Sequence, residues 1–318
     1  MRLYFLGTGA GVPSKRRNVS SLCLRLEAEI GQVWMFDCGE GTQHRVLASP
    51  IRLSKLTRIF VTHLHGDHIY GLPGLLASRS FQSAERPLHV YGPPGLGDYL
   101  EATLAASGVH LTYPLNVHEL RDGQRLAADG FSVHVRALNH GVTCYGYRIV
   151  EPPKPGRLRR ESLEALGVRP GPVYQDIKQG KTVRLADGRI LHGPDFVDPP
   201  APGRTVAIMG DTLPCPQTVE LAADADLLVH EATYAQAEAA LALTHHHSTG
   251  IQAAEQARRA RVQRLILTHL SSRYEPDREQ ELLEEARSVF PRTELACDFS
   301  EFSVPSSAAP SHDGPVNE

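Results

Sequence analysis

Short apolar runs recur along the chain: LYFL (3–6), WMFD (34–37), RIFVT (58–62), LHVYG (88–92), FSVHVRAL (131–138), TVAIMG (205–210), DLLVH (226–230) and RLILTH (264–269). Runs of this length and composition predict strands. Between several of them the apolar positions shift to helical spacing. STGIQAAEQARRA (248–260) is the clearest case, with Ser248 or Thr249 as the N-cap, and EQELLEEARSVF (279–290) is another. Strands mixed with helices predict an α/β or α+β layered fold. No internal repeat interrupts this rhythm.

One segment does interrupt it. Residues 151–198 begin EPPKPGRLRRESLEALGVRPGPVYQDIKQGK, rich in Pro and Gly, and residues 151–190 hold nine Lys/Arg against five Asp/Glu. This reads as an insertion with a small structure of its own. The end, VPSSAAPSHDGPVNE (304–318), has the composition of a disordered tail.

Composition narrows the class. With 318 residues, of which 41% are hydrophobic, there is room for one large domain or two small ones. No apolar run approaches the ~18–20 residues of a membrane span. The start, MRLYFLGTGAG, lacks the pattern of a signal peptide. A soluble, cytoplasmic protein is expected. The five cysteines, Cys23, Cys38, Cys144, Cys215 and Cys297, form no C-x-x-C pair and are odd in number. They predict neither a disulfide framework nor a cysteine zinc site. A net charge of −3 permits a polyanion ligand only if positive charge is concentrated locally.

The chemistry begins in VTHLHGDHIYGLPGLL (61–76). Positions i, i+2 and i+4 of an extended chain face one side, so His63, His65 and Asp67 converge and His68 follows as the chain turns. Imidazole nitrogen and carboxylate oxygen suit zinc, and also manganese or iron. The pattern returns at a distance: RALNH ends at His140, AIMGD at Asp211 and LILTH at His269, each closing an apolar run. These seven donors exceed the roughly four of one tetrahedral ion. They predict two metals, with Asp211 as a candidate bridge. Paired metals roughly 3.5–4 Å apart suit hydrolysis. The absence of cysteine ligands favours a catalytic centre over a structural one.

Other stretches bear on the substrate. PSKRRN (13–18) groups Lys15, Arg16 and Arg17, either as a solvated loop or as an anion contact. In HEAT (230–233), Glu231 closes a strand. HHHST (245–249) precedes a helix. A His paired with a Glu would suit proton donation to a leaving alkoxide. GTGAGV (7–12) begins like a dinucleotide fingerprint, but Val12 replaces the third glycine and Pro13 follows, so a tight turn near the site is the better reading.

THLHGDH with His140, Asp211 and His269 resembles the metallo-β-lactamase superfamily. That resemblance implies a four-layer αβ/βα sandwich over residues 1–303 with two zinc ions at one edge. One ion would take His63, His65 and His140; the other would take Asp67, His68 and His269; Asp211 would be shared. PSKRRN, the GDT at 210–212, HEAT, HST and THLSSRY (268–274) are similar to the ribonuclease Z branch, which trims tRNA precursors at their 3′ ends. The departure is Leu270, where Phe is expected. The resemblance implies that Lys15, Arg17, Asn18 and Arg273 bind substrate. It makes 151–198 a protruding exosite arm that grips tRNA, with Gly171 and Pro172 at its tip. Asp67 would accept the proton of the attacking water, and His247, held by Glu231, would protonate the leaving oxygen. A homodimer with the arm acting in trans is implied too. The rivals are another dinuclear hydrolase of this fold (a phosphodiesterase, arylsulfatase or lactonase) and a non-catalytic RNA- or metal-binding module.

Overall fold

A computed structural model describes residues 1–82, 85–274 and 276–304. The tail expected over 304–318 lies outside the described residues from 305 onward. Two compact units emerge, one formed by Met1–Val150 with Thr205 onward and the other by Glu151–Arg204.

The larger unit holds two seven-stranded sheets. The first runs, in spatial order, Glu301–Ser303, Arg2–Gly7, Ser21–Leu26, Gln32–Phe36, Leu56–Phe60, Leu88–Gly92, Leu115–Glu119. The second runs Thr293–Leu295, Leu265–Thr268, Leu227–Glu231, Thr205–Ile208, Tyr145–Val150, Phe131–Ala137, Arg125–Ala128. Alternation along the strands gives each sheet two apolar faces. Leu3, Phe5, Trp34, Phe36 and Phe60 meet Val133, Tyr147, Val206, Ile208 and Val229 between the sheets. Aromatic rings lock this layer: Trp34 meets Phe131 at 5.4 Å and Phe36 meets Tyr147 at 5.9 Å, both edge to face.

Helices cover both outer faces. Leu72, Leu75 and Leu76 of helix Leu72–Ser80 and Leu96 and Leu100 of helix Leu96–Ala106 pack with Leu6, Met35, Ile59 and Val61 of the first sheet. On the other side, Ala253, Ala254 and Ala257 of helix Gly250–Arg259 pack with Leu228, Leu265 and Leu267 of the second sheet, joined by Leu282 and Ala286 of helix Pro276–Val289. This is the four-layer αβ/βα arrangement that the resemblance implied. Of the two caps considered, Thr249 is the one used, in a reciprocal capping box with Gln252. All five cysteines are free, and only Cys297 is exposed. No helix among the described residues is long and apolar enough to cross a membrane.

Several strands end one or two residues earlier than their apolar runs. Asp37 and His269 stand just beyond strand ends with φ of 56° and 59°. Such left-handed conformations are uncommon outside glycine and gather at functional sites. Asp37 and His269 thus belong to turns above the sheet, not to the ladder.

The chain leaves the second sheet at Val150 and re-enters opposite it at Thr205. The intervening unit has helices Arg160–Ala165 and Pro172–Lys178 and a hairpin of Thr182–Arg184 with Ile190–His192. Leu163, Val168, Tyr174, Ile177 and Leu191 form its own small core. Gly171 and Pro172 are exposed at the start of its second helix. Pairing continues past the expected boundary at Asp198, through Lys154 with Ala201 to a clamp at the base. There Glu151 accepts from Arg204 Nε at 2.7 Å and Nη2 at 2.6 Å. Burial works against the Glu151 charge, but Arg204 outweighs it and holds the carboxyl at about 2, down from 4.5. The folded value lies below the ordinary one, so the clamp contributes fully above pH 4.5 and fades as pH falls toward about 2. Protection factors of amides near Glu151 and Arg204, taken relative to the intrinsic exchange rate at each pH, should therefore fall as pH drops across that window, and Glu151→Gln should abolish this pH dependence.

Candidate metal centre

Strand ends deliver the donors. After strand Leu56–Phe60 the chain carries His63 and His65 in extended backbone, then one turn of helix, Gly66–Ile69, holding Asp67 and His68. His140, Asp211 and His269 each follow a strand of the second sheet. The structure brings all seven together. His63, His65 and His140 form one group, Asp67, His68 and His269 another, and Asp211 joins His63 and His68 in a third and His247 and His269 in a fourth. Asp211 Oδ2 lies 3.5 Å from His63 Nε2, 3.4 Å from His68 Nε2 and 3.5 Å from His269 Nε2.

The far side of each ring explains what faces inward. His68 Nδ1 meets Asp37 at 2.8 Å, and His140 Nδ1 donates to the His246 carbonyl at 2.9 Å. Thr62 Oγ1 donates to Asp37 at 2.9 Å and so accepts from His63 Nδ1 at 3.0 Å. Thr233 Oγ1 donates to Glu231 at 2.7 Å and so accepts from His269 Nδ1 at 2.9 Å. Four imidazoles therefore carry their proton on Nδ1 and present an Nε2 lone pair to the centre. His65 presents Nδ1 instead, 3.0 Å from His63 Nε2 and 3.3 Å from His140 Nε2. The Nε2 lone pairs of His63, His68, His140 and His269 and the carboxylates of Asp67 and Asp211 repel one another at such distances unless a cation or a proton lies among them. The edge of a tetrahedron around zinc with bonds of 2.0–2.1 Å is about 3.3 Å. The donor set fits a metal.

Electrostatics agree. Burial alone would raise Asp211, but His269, His68 and His63 hold it well below the carboxylate range. Burial disfavours charge on the His68 ring, yet Asp211 and Asp37 outweigh it and raise its pKa well above the usual value, a negative surrounding that also suits a metal cation. Asp67, despite its burial, is likewise held low by His269 and His68, and its Oδ2 accepts the Gly11 amide at 2.8 Å. Gly11 turns at φ 70°, so the glycine stretch is a tight turn that aims a backbone donor into the centre. Gly39 is needed for space, since a Cβ there would lie 2.2 Å from the Asp67 carbonyl.

Beside the donors stands a second device. Glu231, 1% exposed, accepts from His247 Nδ1 at 3.0 Å, the Ser248 amide at 3.0 Å and the Thr212 amide at 3.1 Å on Oε1. Its other oxygen takes the Thr233 amide at 3.0 Å and the Thr233 hydroxyl. Burial opposes charge on His247, but Glu231 outweighs it and pushes the imidazole up to about 9. His247 Nδ1 is 3.9 Å from Asp211, farther than from Glu231, so that atom is committed to Glu231 and Nε2 is left free.

The residues expected to bind substrate divide. Lys15 and Arg273 are exposed, the latter with its guanidinium 5.1 Å above the Tyr234 ring. Arg17 differs: it is 5% exposed, and its guanidinium bonds Glu279, Thr8 and the Ala296 carbonyl. Asn18 is half-buried and spends its amide donor on the Glu40 carbonyl. Leu270 is buried and pairs beside Gly9, away from the donors. Sequence reasoning missed Asp37, Thr62 and Thr233. Asp37 carried the same signal as the ligands, a polar residue closing the run WMFD.

Comparison with known proteins follows this geometry. A family model for the anti-Pycsar protein Apyc1 matches residues 1–150. Ribonuclease Z of Geobacillus kaustophilus is 57% identical over 305 residues, spanning 96% of this chain and 99% of that protein. The chain belongs to the ribonuclease Z family. Ribonuclease Z of Bacillus subtilis is 51% identical over 305 residues, 96% of this chain and 99% of that one. The crystal structure of human tRNase Z, short form, superposes with a TM-score of 0.70 at 31% identity, covering 96% of this chain and all (100%) of that one.

The orienting role of Asp37 in this ribonuclease Z is testable. Asp37→Ala removes the partner of His68 and of Thr62 without removing a donor. Outer partners of this kind are worth about 10–100-fold in metal affinity. Metal content after dialysis against a graded chelator should drop by that order, and an unchanged affinity would sink the assignment.

Proposed function

We infer that this protein is a metal-dependent endoribonuclease that removes 3′ trailers from tRNA precursors, leaving a 3′-hydroxyl on the tRNA and a 5′-phosphate on the trailer. Family membership over nearly the whole chain supports the substrate. The pairing of His247 with buried Glu231 beside the donor cluster carries the chemistry.

The reading assigns two zinc ions per subunit, with manganese or iron as alternatives. His63, His65 and His140 would hold one, Asp67, His68 and His269 the other, and Asp211 both. Bound there, the metals supply positive charge for the scissile phosphate and lower the pKa of water to near neutrality. Every other task falls to the chain itself. Asp67 keeps an ionised carboxylate beside the centre, fixed by the Gly11 amide, and receives the proton of the attacking water. His247 is held protonated at neutral pH by Glu231 through Nδ1, which leaves Nε2–H to protonate the departing 3′ oxygen. Five hydrogen bonds keep Glu231 ionised and stationary, so the imidazole is oriented before substrate arrives.

Lys15 and Arg273 are assigned to the acceptor end of the RNA. The unit Glu151–Arg204 is assigned to the body of the tRNA, with Gly171 and Pro172 at the contact. Duplex RNA is bound through shape and backbone phosphates, which suits the local excess of Lys and Arg. The family likeness further supports a cytoplasmic homodimer in which the arm of one subunit serves the other. Another dinuclear hydrolase of this fold would share the metals but would not need the basic insertion.

His247→Ala should lower turnover on a precursor tRNA by about 10²–10⁴-fold with metal content unchanged. Metal loss would instead make His247 a ligand. Deleting 151–198 should raise KM for the precursor strongly while largely sparing bis(p-nitrophenyl) phosphate. Equal losses on both substrates would make the segment structural.

A further inference from the structure

The basic loop PSKRRN presents two adjacent arginines to one carboxylate. Glu279, on helix Pro276–Val289, accepts from Arg17 Nε and Nη2, both at 2.9 Å. Arg17 Nη1 adds bonds to Thr8 Oγ1 at 2.6 Å and the Ala296 carbonyl at 2.7 Å. Arg16 reaches the same carboxylate only at 3.3 and 3.4 Å, with a side chain 49% exposed. One guanidinium is thus buried and saturated, while the other is loosely held at the surface. Two cations against one anion also leave a net positive charge at the loop.

The loop itself is pinned. Thr8 Oγ1, which accepts from Arg17, donates to Asp298 Oδ1 at 2.7 Å, and Asp298 Oδ2 accepts the Asn18 amide at 2.7 Å. Arg45 adds a bond to the same Oδ2 at 2.5 Å. Within the loop, the Ser14 amide donates to the Arg17 carbonyl at 2.8 Å and the Arg17 amide to Ser14 Oγ at 3.0 Å. The backbone that carries Lys15 and Arg16 therefore cannot drift far from the metal centre's rim, where Gly11 binds Asp67.

We infer that Arg16, together with Lys15, is the arginine of this loop that meets an RNA phosphate, and that Glu279 and Asp298 are positioning residues that act through Arg17, Thr8 and the Asn18 backbone. The inference rests on the RNA-cleaving function proposed above. A phosphate needs a guanidinium fork that can be released to it, and Arg16 holds Glu279 only through long contacts whereas Arg17 is saturated. An exposed ion pair with long contacts is weak, so exchanging the Glu279 carboxylate for a phosphate costs Arg16 little.

The test measures KM and kcat on a precursor tRNA across a range of salt, with Tm, for the full-length protein and for Arg16→Ala, Arg17→Ala and Glu279→Gln. Arg16→Ala should raise KM several-fold, leave Tm in place, and flatten the slope of log KM against log salt by about 0.7–0.9, the loss of one phosphate contact. Glu279→Gln removes no positive charge from the loop, so it should lower Tm while keeping the wild-type slope. A salt slope and KM unchanged by Arg16→Ala would overturn the inference, as would a flattened slope in Arg17→Ala with Tm unchanged. Failure of the unaltered protein to cleave precursor tRNA would instead overturn the functional reading on which the inference stands.

Discussion

The structure is organised around a local repulsion. Four imidazole lone pairs and two carboxylates face one another at the ends of strands. Nothing in water or in a packed core would assemble such a group, because each acceptor would lose its hydrogen bonds to solvent and gain only like partners. The arrangement persists because two rigid sheets hold the strand ends and because every ring but one is held from behind. Asp37, Thr62, Thr233 and the His246 carbonyl fix the proton of four histidines on the outward nitrogen. A cation turns the repulsion into coordination, so the fold and the metal chemistry are the same problem solved once.

The catalytic pair obeys a different rule. A buried carboxylate is costly unless its oxygens are satisfied, and Glu231 is satisfied by three neighbouring turns as well as by His247. Those turns belong to the strand end of HEAT, the GDT stretch and the start of the capped helix Gly250–Arg259. His247 is therefore positioned by the same layer of turns that carries Asp211 and Thr233, and the two devices share one scaffold. Preorganisation of this kind lets neither group move when the substrate arrives.

Charge on the molecule is arranged by the same logic of saturation. Arg17 and Arg16 differ by one position in sequence and by burial in the structure. The carboxylate of Glu279 is within reach of both, and the better geometry goes to the arginine that also has Thr8 and the Ala296 carbonyl. A basic residue acts on a ligand only when the protein has left its donors unspent.

Much of this was legible in the chain alone. A polar residue closing an apolar run marks a strand end, and three such ends added to the H-x-H-x-D-H cluster gave the seven donors and the layered fold, because periodicity and ligand chemistry are local properties. The glycine stretch was readable as a turn for the same reason. What only the tertiary structure decided was which groups stand behind the ligands and which charges are spent. Asp37 and His68 are far apart in sequence, and so are Arg17 and Glu279, and no local pattern records that they meet. The run WMFD looks like any other strand, and PSKRRN looks like three equivalent cations, until packing brings Asp37 to His68 and buries Arg17 against Glu279. Residue type and spacing determine what a side chain could do, whereas its partners determine what remains free for it to do.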